Sequence, residues 1–113
     1  MKAEEWRENR AKWVAALRDP SRTQVTGKLG HQEIGGQCCL GVLAEVAGCE
    51  YMSSGRWDNC SGFAPYRAME FVGLKDAKGR YGKFFSLSID NDSGKTFAQI
   101  AATIESEPQG LFR

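Results

Sequence analysis

The residues whose types could do chemistry are four cysteines, one histidine and a short acidic turn. Cys38 and Cys39 are vicinal, and Cys49 and Cys60 stand apart. A thiol becomes a nucleophile when a neighbouring base or a helix N-terminus lowers its pKa. Cys38 stands where a helix should begin, and His31, the sole imidazole, precedes it in the chain. Both vicinal cysteines also fall on the apolar side of that helix, which argues for burial and against catalysis. There is no C-x-x-C knuckle, and His31 lies at no standard ligand spacing, so no metal is expected. A bridge between vicinal cysteines strains the intervening peptide. In a reducing compartment the four thiols act as small hydrophobes.

A second candidate is Ser93-Gly94-Lys95-Thr96, which resembles the tail of a phosphate-binding loop. The full pattern needs a glycine where Ile89 stands, so the backbone cradle is missing and nucleotide hydrolysis is not expected. The preceding Asp90-Asn91-Asp92 is similar to half of a calcium loop, but the later ligands are absent. An Asn-Asp-Ser-Gly turn feeding a helix accounts for the segment without any ligand.

Binding chemistry is better represented. Arg22, Gln24 and Lys28 read as an exposed polar set, Trp57 stands in a long loop, and Asn91 and Asp92 occupy the acidic turn. Cations beside a stacking aromatic are what an anionic nucleobase ligand needs. These six are the candidate ligand-binding residues, although Gln24 also reads as a plain strand residue. The formal net charge of +1 conceals four blocks. Residues 1–32 carry +3, 33–70 carry −3, 71–86 carry +3 and 87–107 carry −3, with Arg113 adding the last +1. The basic blocks hold Arg22, Lys28 and His31, then Lys75, Lys78, Arg80 and Lys83. If they converge they make a small anion site, to which Gly35-Gly36-Gln37 at a helix start could add backbone donors.

The elements that must position these residues follow from periodicity. Residues 3–18 read as an amphipathic helix with Trp6, Trp13 and Leu17 on one stripe. The stem of Arg10 lies along the same rings, and Asp19-Pro20 stops the helix. Residues 21–34 alternate like a half-exposed strand or hairpin arm. Cys38 to about Ala47 form a second helix, in which Gly41 permits close packing. Residues 49–64 read as an irregular surface excursion. Pro65 opens a short helix ended by Gly73, and KDAKGRYGK suggests a turn or hairpin. Residues 84–90 fit either a strand or a helical turn. Thr96 and Gln99 form a capping box for a helix from 97 to about 106.

With 113 residues, 42% of them hydrophobic, the chain can bury one real core. The composition excludes a disordered chain, and near-neutral charge excludes an extended nucleic-acid surface. No apolar run suits a membrane span, and the charged start lacks a signal-peptide core. The expectation is a single α+β domain over residues 1–113, cytoplasmic, with three to four short helices and a small antiparallel sheet or hairpin.

Trp13 to Leu17 (WVAAL), Gln24-x-x-Gly27-x-Leu29, Cys38 to Gly48 (CCLGVLAEVAG) and Asn91-Asp92-x-Gly94-x-x-Phe97-x-x-Ile100-Ala101-x-x-Ile104-Glu105 occur here in order. Together they resemble a family of small uncharacterised bacteriophage and prophage proteins. The likeness covers most of the chain except about 50 to 85. It implies a phage accessory protein acting in a bacterial cytoplasm, of a class that often counters host defence. It carries over no activity and no site residue. Three readings result. The first is a binding protein without turnover or cofactor that sequesters a nucleotide-derived immune signal, as a homo-oligomer. The second is an inhibitor of a host defence protein, with Tyr51, Trp57 and Phe63 as anchors. The third is a small enzyme using Cys38 or the Asp90/Asp92 pair.

Overall fold

The computed structural model describes residues 3–31, 35–52 and 54–113. Five helices and two antiparallel two-stranded sheets are present among them, which is an α+β fold. In chain order they are α1 (Ala3–Leu17), α2 (Cys39–Val46), β1 (Tyr51–Met52), β2 (Arg56–Trp57), α3 (Tyr66–Val72), β3 (Arg80–Tyr81), β4 (Phe85–Ser86), α4 (Leu87–Asp92) and α5 (Phe97–Glu105). Four helices have seven residues or more; α4, with six, is the addition to the expected count.

Helix α1 packs on α2, α3 and α5. It buries Trp13, Val14 and Leu17. Trp6 is only half-buried, because its task is polar. Its Nε1 donates to the Glu70 carbonyl at 2.9 Å. Asn9 Nδ2 donates to Phe71 O at 2.7 Å, and Arg10 Nε to Val72 O at 2.7 Å. These are the last three carbonyls of α3, which lack partners within their own helix. Three side chains of α1 therefore cap α3. The Arg10 guanidinium also lies 3.8 Å from the centre of the Phe112 ring, in the arrangement that favours a cation over an aromatic face. Gly73 ends α3 at φ +69°, and a Cβ there would stand 2.5 Å from the Trp6 ring. The position thus demands glycine twice, for its left-handed backbone and for the indole lying against it.

Helix α2 runs through the centre, with Cys39 to Ala44 all buried. Its Gly41 lies against the chain at Leu29, where a Cβ would overlap the Leu29 carbonyl oxygen. The close packing expected of Gly41 is realised there. Helix α5 begins at the expected capping box, with both reciprocal bonds formed between Thr96 and Gln99, and buries Phe97, Ile100, Ala101 and Ile104.

Two expectations are corrected. Residues 21–31 form no strand. They make single bridges, Gln24 with Gln37 and Gly30 with Gln37, while burying Val25 and Leu29. The alternation reports the burial of Val25 and Leu29, but the backbone bonds irregularly: Val25 N–H donates to Gln37 O, Leu29 N–H to Ser61 O and His31 N–H to Gly36 O, while Asn91 and Asp92 of α4 take Val25 O and the Gly27 amide. Residues 32–34 of the same expected strand lie outside the described residues. The 49–64 stretch is not wholly irregular, because β1 and β2 pair as a hairpin in the register Tyr51 to Trp57 and Met52 to Arg56. Residues 84–90 resolve into both alternatives. Phe85–Ser86 pairs with Arg80–Tyr81, and Ser86 then caps α4 by accepting from the Ile89 amide at 3.0 Å.

Candidate functional site

Four of the six candidate residues are committed to holding the fold. Gln24 Nε2 donates to Asn91 Oδ1 at 2.8 Å and to Lys95 O at 2.7 Å, and its Oε1 accepts from the Phe97 amide at 3.0 Å. Asn91 Oδ1 also accepts from the Cys39 amide at 3.2 Å, and its Nδ2 donates to Val25 O at 2.7 Å. Asp92 Oδ1 accepts from the Gly27 amide at 2.8 Å. Gln24, Asn91 and Asp92, read from the sequence as ligand contacts in two separate segments, meet in one cluster. That cluster is an internal clasp joining the 24–29 segment to the start of α2, to α4 and to α5. Arg22 is spent likewise, on Gln37 Oε1 at 3.0 Å and Glu45 Oε2 at 2.6 Å.

Trp57 is 8% exposed. Its ring meets Tyr51 edge-on at 5.0 Å, so it anchors the β1–β2 hairpin instead of projecting from a loop. Lys28 remains exposed on the surface. Two of the expected helix-start donors are taken, Gly35 N–H by His31 O and Gln37 N–H by Thr23 O.

The catalytic candidates are in unreactive surroundings. Burial pushes the Cys38 and Cys39 thiols up, the latter strongly. Burial, then Asp58, raises Cys49 to about 12. None is the activated thiolate that nucleophilic catalysis needs. Asp90 is buried, accepts a short hydrogen bond from the Tyr81 hydroxyl, and has Lys95 Nζ at 3.6 Å. Burial and that carboxylate raise the Tyr81 hydroxyl to about 12. Among the described residues, no group of three or more His, Cys, Asp or Glu is placed to hold a metal ion.

The surface that does gather binding chemistry is the outer face of the β3–β4 hairpin. There three of the four cations of the second basic block gather. Lys78, Arg80 and Lys83 line a concavity of about 410 Å³ together with Phe84, Phe85, Ile89 and Asp92. The hairpin and the α4 that follows it explain the placement. The pairing of Arg80 with Ser86 and Tyr81 with Phe85 leaves residues 82–84 as its turn. Phe84 is 84% exposed, Phe85 57% and Ile89 60%. Phe85 is stacked on Tyr81 at 5.6 Å with the planes 17° apart, which fixes the ring without covering its outer side. Arg80 has only a long contact with Asp76, at 3.9 Å. Lys78 and Lys83 make no ion pair among the described residues. Asp92, the one acid on this rim, is already engaged by Gly27. The arrangement offers three aromatic or apolar surfaces ringed by three cations, a concavity at the lower end of the size range of ligand sites.

Lys78, Arg80 and Lys83 were legible as a basic block. Phe84, Phe85 and Ile89 were not legible as site residues, because exposed aromatics and core aromatics read alike in a sequence. A comparison with known proteins finds no matching family model, no matching curated protein and no matching solved structure.

Proposed function

We propose that this chain is a binding protein that acts without turnover, and that it holds an anionic, ring-bearing ligand of the nucleotide class on the β3–β4 face. One observation carries the reading: Phe84, Phe85 and Ile89 stand exposed beside Lys78, Arg80 and Lys83 around a single concavity. Exposed aromatic rings supply a stacking surface for a base, and the lysines and arginine complement phosphate. The commitment of Gln24, Asn91, Asp92 and Arg22 to internal bonds moves the binding face away from them. In the phage setting implied by the resemblance, such a protein sequesters a nucleotide-derived immune signal of the bacterial host.

Isothermal titration against cyclic dinucleotides and ADP-ribose derivatives tests this. At least one should bind, and Phe84→Ala with Lys83→Glu should weaken it tenfold or more with the fold unchanged. Absence of heat from every member with folded protein overturns the reading. The second reading, inhibition of a host defence protein, draws on the same exposed Phe84, since a protruding aromatic among cations also suits a protein interface. A stoichiometric acidic protein partner lost with Phe84→Ala, alongside silent nucleotide titrations, favours it.

A further inference from the structure

A larger concavity, about 590 Å³, lies between α1 and α5, away from the β3–β4 face. Its lining is polarised along its length. Ala11 and Ala15 of α1 supply exposed apolar surface, and the buried Val14 and Ile104 form the floor beneath them. Beyond them Arg18 is tied to Glu105 at 2.7 Å. Towards the start of α1, Arg10 is tied to Glu107 at 2.8 Å, and Arg7 makes no ion pair among the described residues. Arg7 and Arg10 are three residues apart, hence neighbours on one helix face. Their like charges meet a single carboxylate, and Arg10 Nη2 is buried without a partner. The groove thus has one uncompensated positive end, an apolar middle and a charge-neutral far end. From Arg7 to Arg18 the helix advances about 16 Å.

From this we infer a second ligand site, independent of the β3–β4 face, for a small amphipathic anion. Its carboxylate or similar head pairs with Arg7, and its aliphatic body lies over Ala11, Val14, Ala15 and Ile104. The charge pattern selects this occupant over an acidic helix from a partner. Such a helix would need cations along the whole groove, whereas Arg10 and Arg18 already have glutamate partners. The short side chains of Ala11 and Ala15 leave the room, and both positions are exposed on α1.

Amide NMR titration with decanoate, below its micelle concentration, tests the site against decylamine (same tail, opposite head) and acetate (same head, no tail). Decanoate should shift resonances of residues 7–18 and 104–107, and the two controls should not. Arg7→Glu should weaken decanoate at least tenfold, and Ala15→Trp, which fills the groove from a solvent-facing position, should abolish it. Circular dichroism checks that both variants keep the native helix content. Equal shifts with decylamine, or decanoate shifts unaffected by either variant, overturn the site. So does an acidic helical peptide that perturbs these resonances where decanoate does not. Phe84→Ala should leave decanoate binding unchanged, so that this site and the β3–β4 face stand or fall separately.

Discussion

Asn91 shows how one side chain can tie three segments of a chain together. Its amide joins Gln24, the Cys39 amide and the Val25 carbonyl in a buried cluster. Removing it strands a donor at the start of α2 and an acceptor at Val25, each costing about 1–3 kcal/mol when buried without a partner. Asn91→Ala should therefore destabilise the protein by about 3 kcal/mol, read as a lower urea midpoint with an unchanged m-value. Asn91→Asp should not rescue it, because a carboxylate cannot donate to Val25 O. A loss below about 1 kcal/mol would mean that water replaces the clasp. At the residue scale the sequence singled out Gln24, Asn91 and Asp92 but did not show that they meet. It could not reveal their role, because a polar side chain that binds a ligand and one that binds the backbone have the same chemistry. The partners here are 66 and 67 residues away along the chain.

At the scale of elements, the helices were legible where 3.6-residue spacing coincided with a start or stop signal. Thr96 with Gln99, Pro65 and Gly73 each marked a real boundary. The 21–31 segment was misread because period-2 burial normally implies a strand, and no local signal told that its bonds would be shared among residues 36–38, Ser61 and two side chains of α4. The packing of α3 on α1 allows a sharper test. Gly73→Ala places a methyl against the Trp6 ring and a side chain on a left-handed backbone. It should cost about 3 kcal/mol or more, combining backbone strain with overpacking. Thr96→Ala, which removes only one capping hydroxyl, should cost about 1 kcal/mol. Thermal melts of the two variants should keep that order, and the reverse order would contradict the tight docking of α3 beneath Trp6.

For the molecule as a whole, the four thiols and the Tyr81 hydroxyl are held in their neutral forms. Burial is the first cause for each, with Asp58 adding to Cys49 and Asp90 to Tyr81. The folded pKa of each lies above its unfolded value, so the folded state retains these protons more tightly. For Cys49 this contribution to stability is fully present below pH 9.0, its ordinary value, and is lost as pH rises towards about 12, and the other thiols shift in the same direction. Urea midpoints should fall steadily across that alkaline range. Tyr81→Phe should flatten the upper part of the fall, from the ordinary tyrosine value of 10.0 to about 12. An unchanged slope in Tyr81→Phe would assign the fall to the cysteines alone.

The capping of α3 by α1 has a consequence for how the chain is made. Trp6, Asn9 and Arg10 wait for carbonyls more than sixty residues downstream, and Arg10 waits further, for Glu107, which is 97 residues away. Helix α1 is thus synthesised well before the segments that fix its place. Until Leu111 and Phe112 have been added, Trp13 and Leu17 have an incomplete core to enter. Assembly of this protein is governed by its longest loop closures, and a nascent chain halted before residue 107 should present α1 as an unprotected amphipathic helix, open to chaperones and proteases.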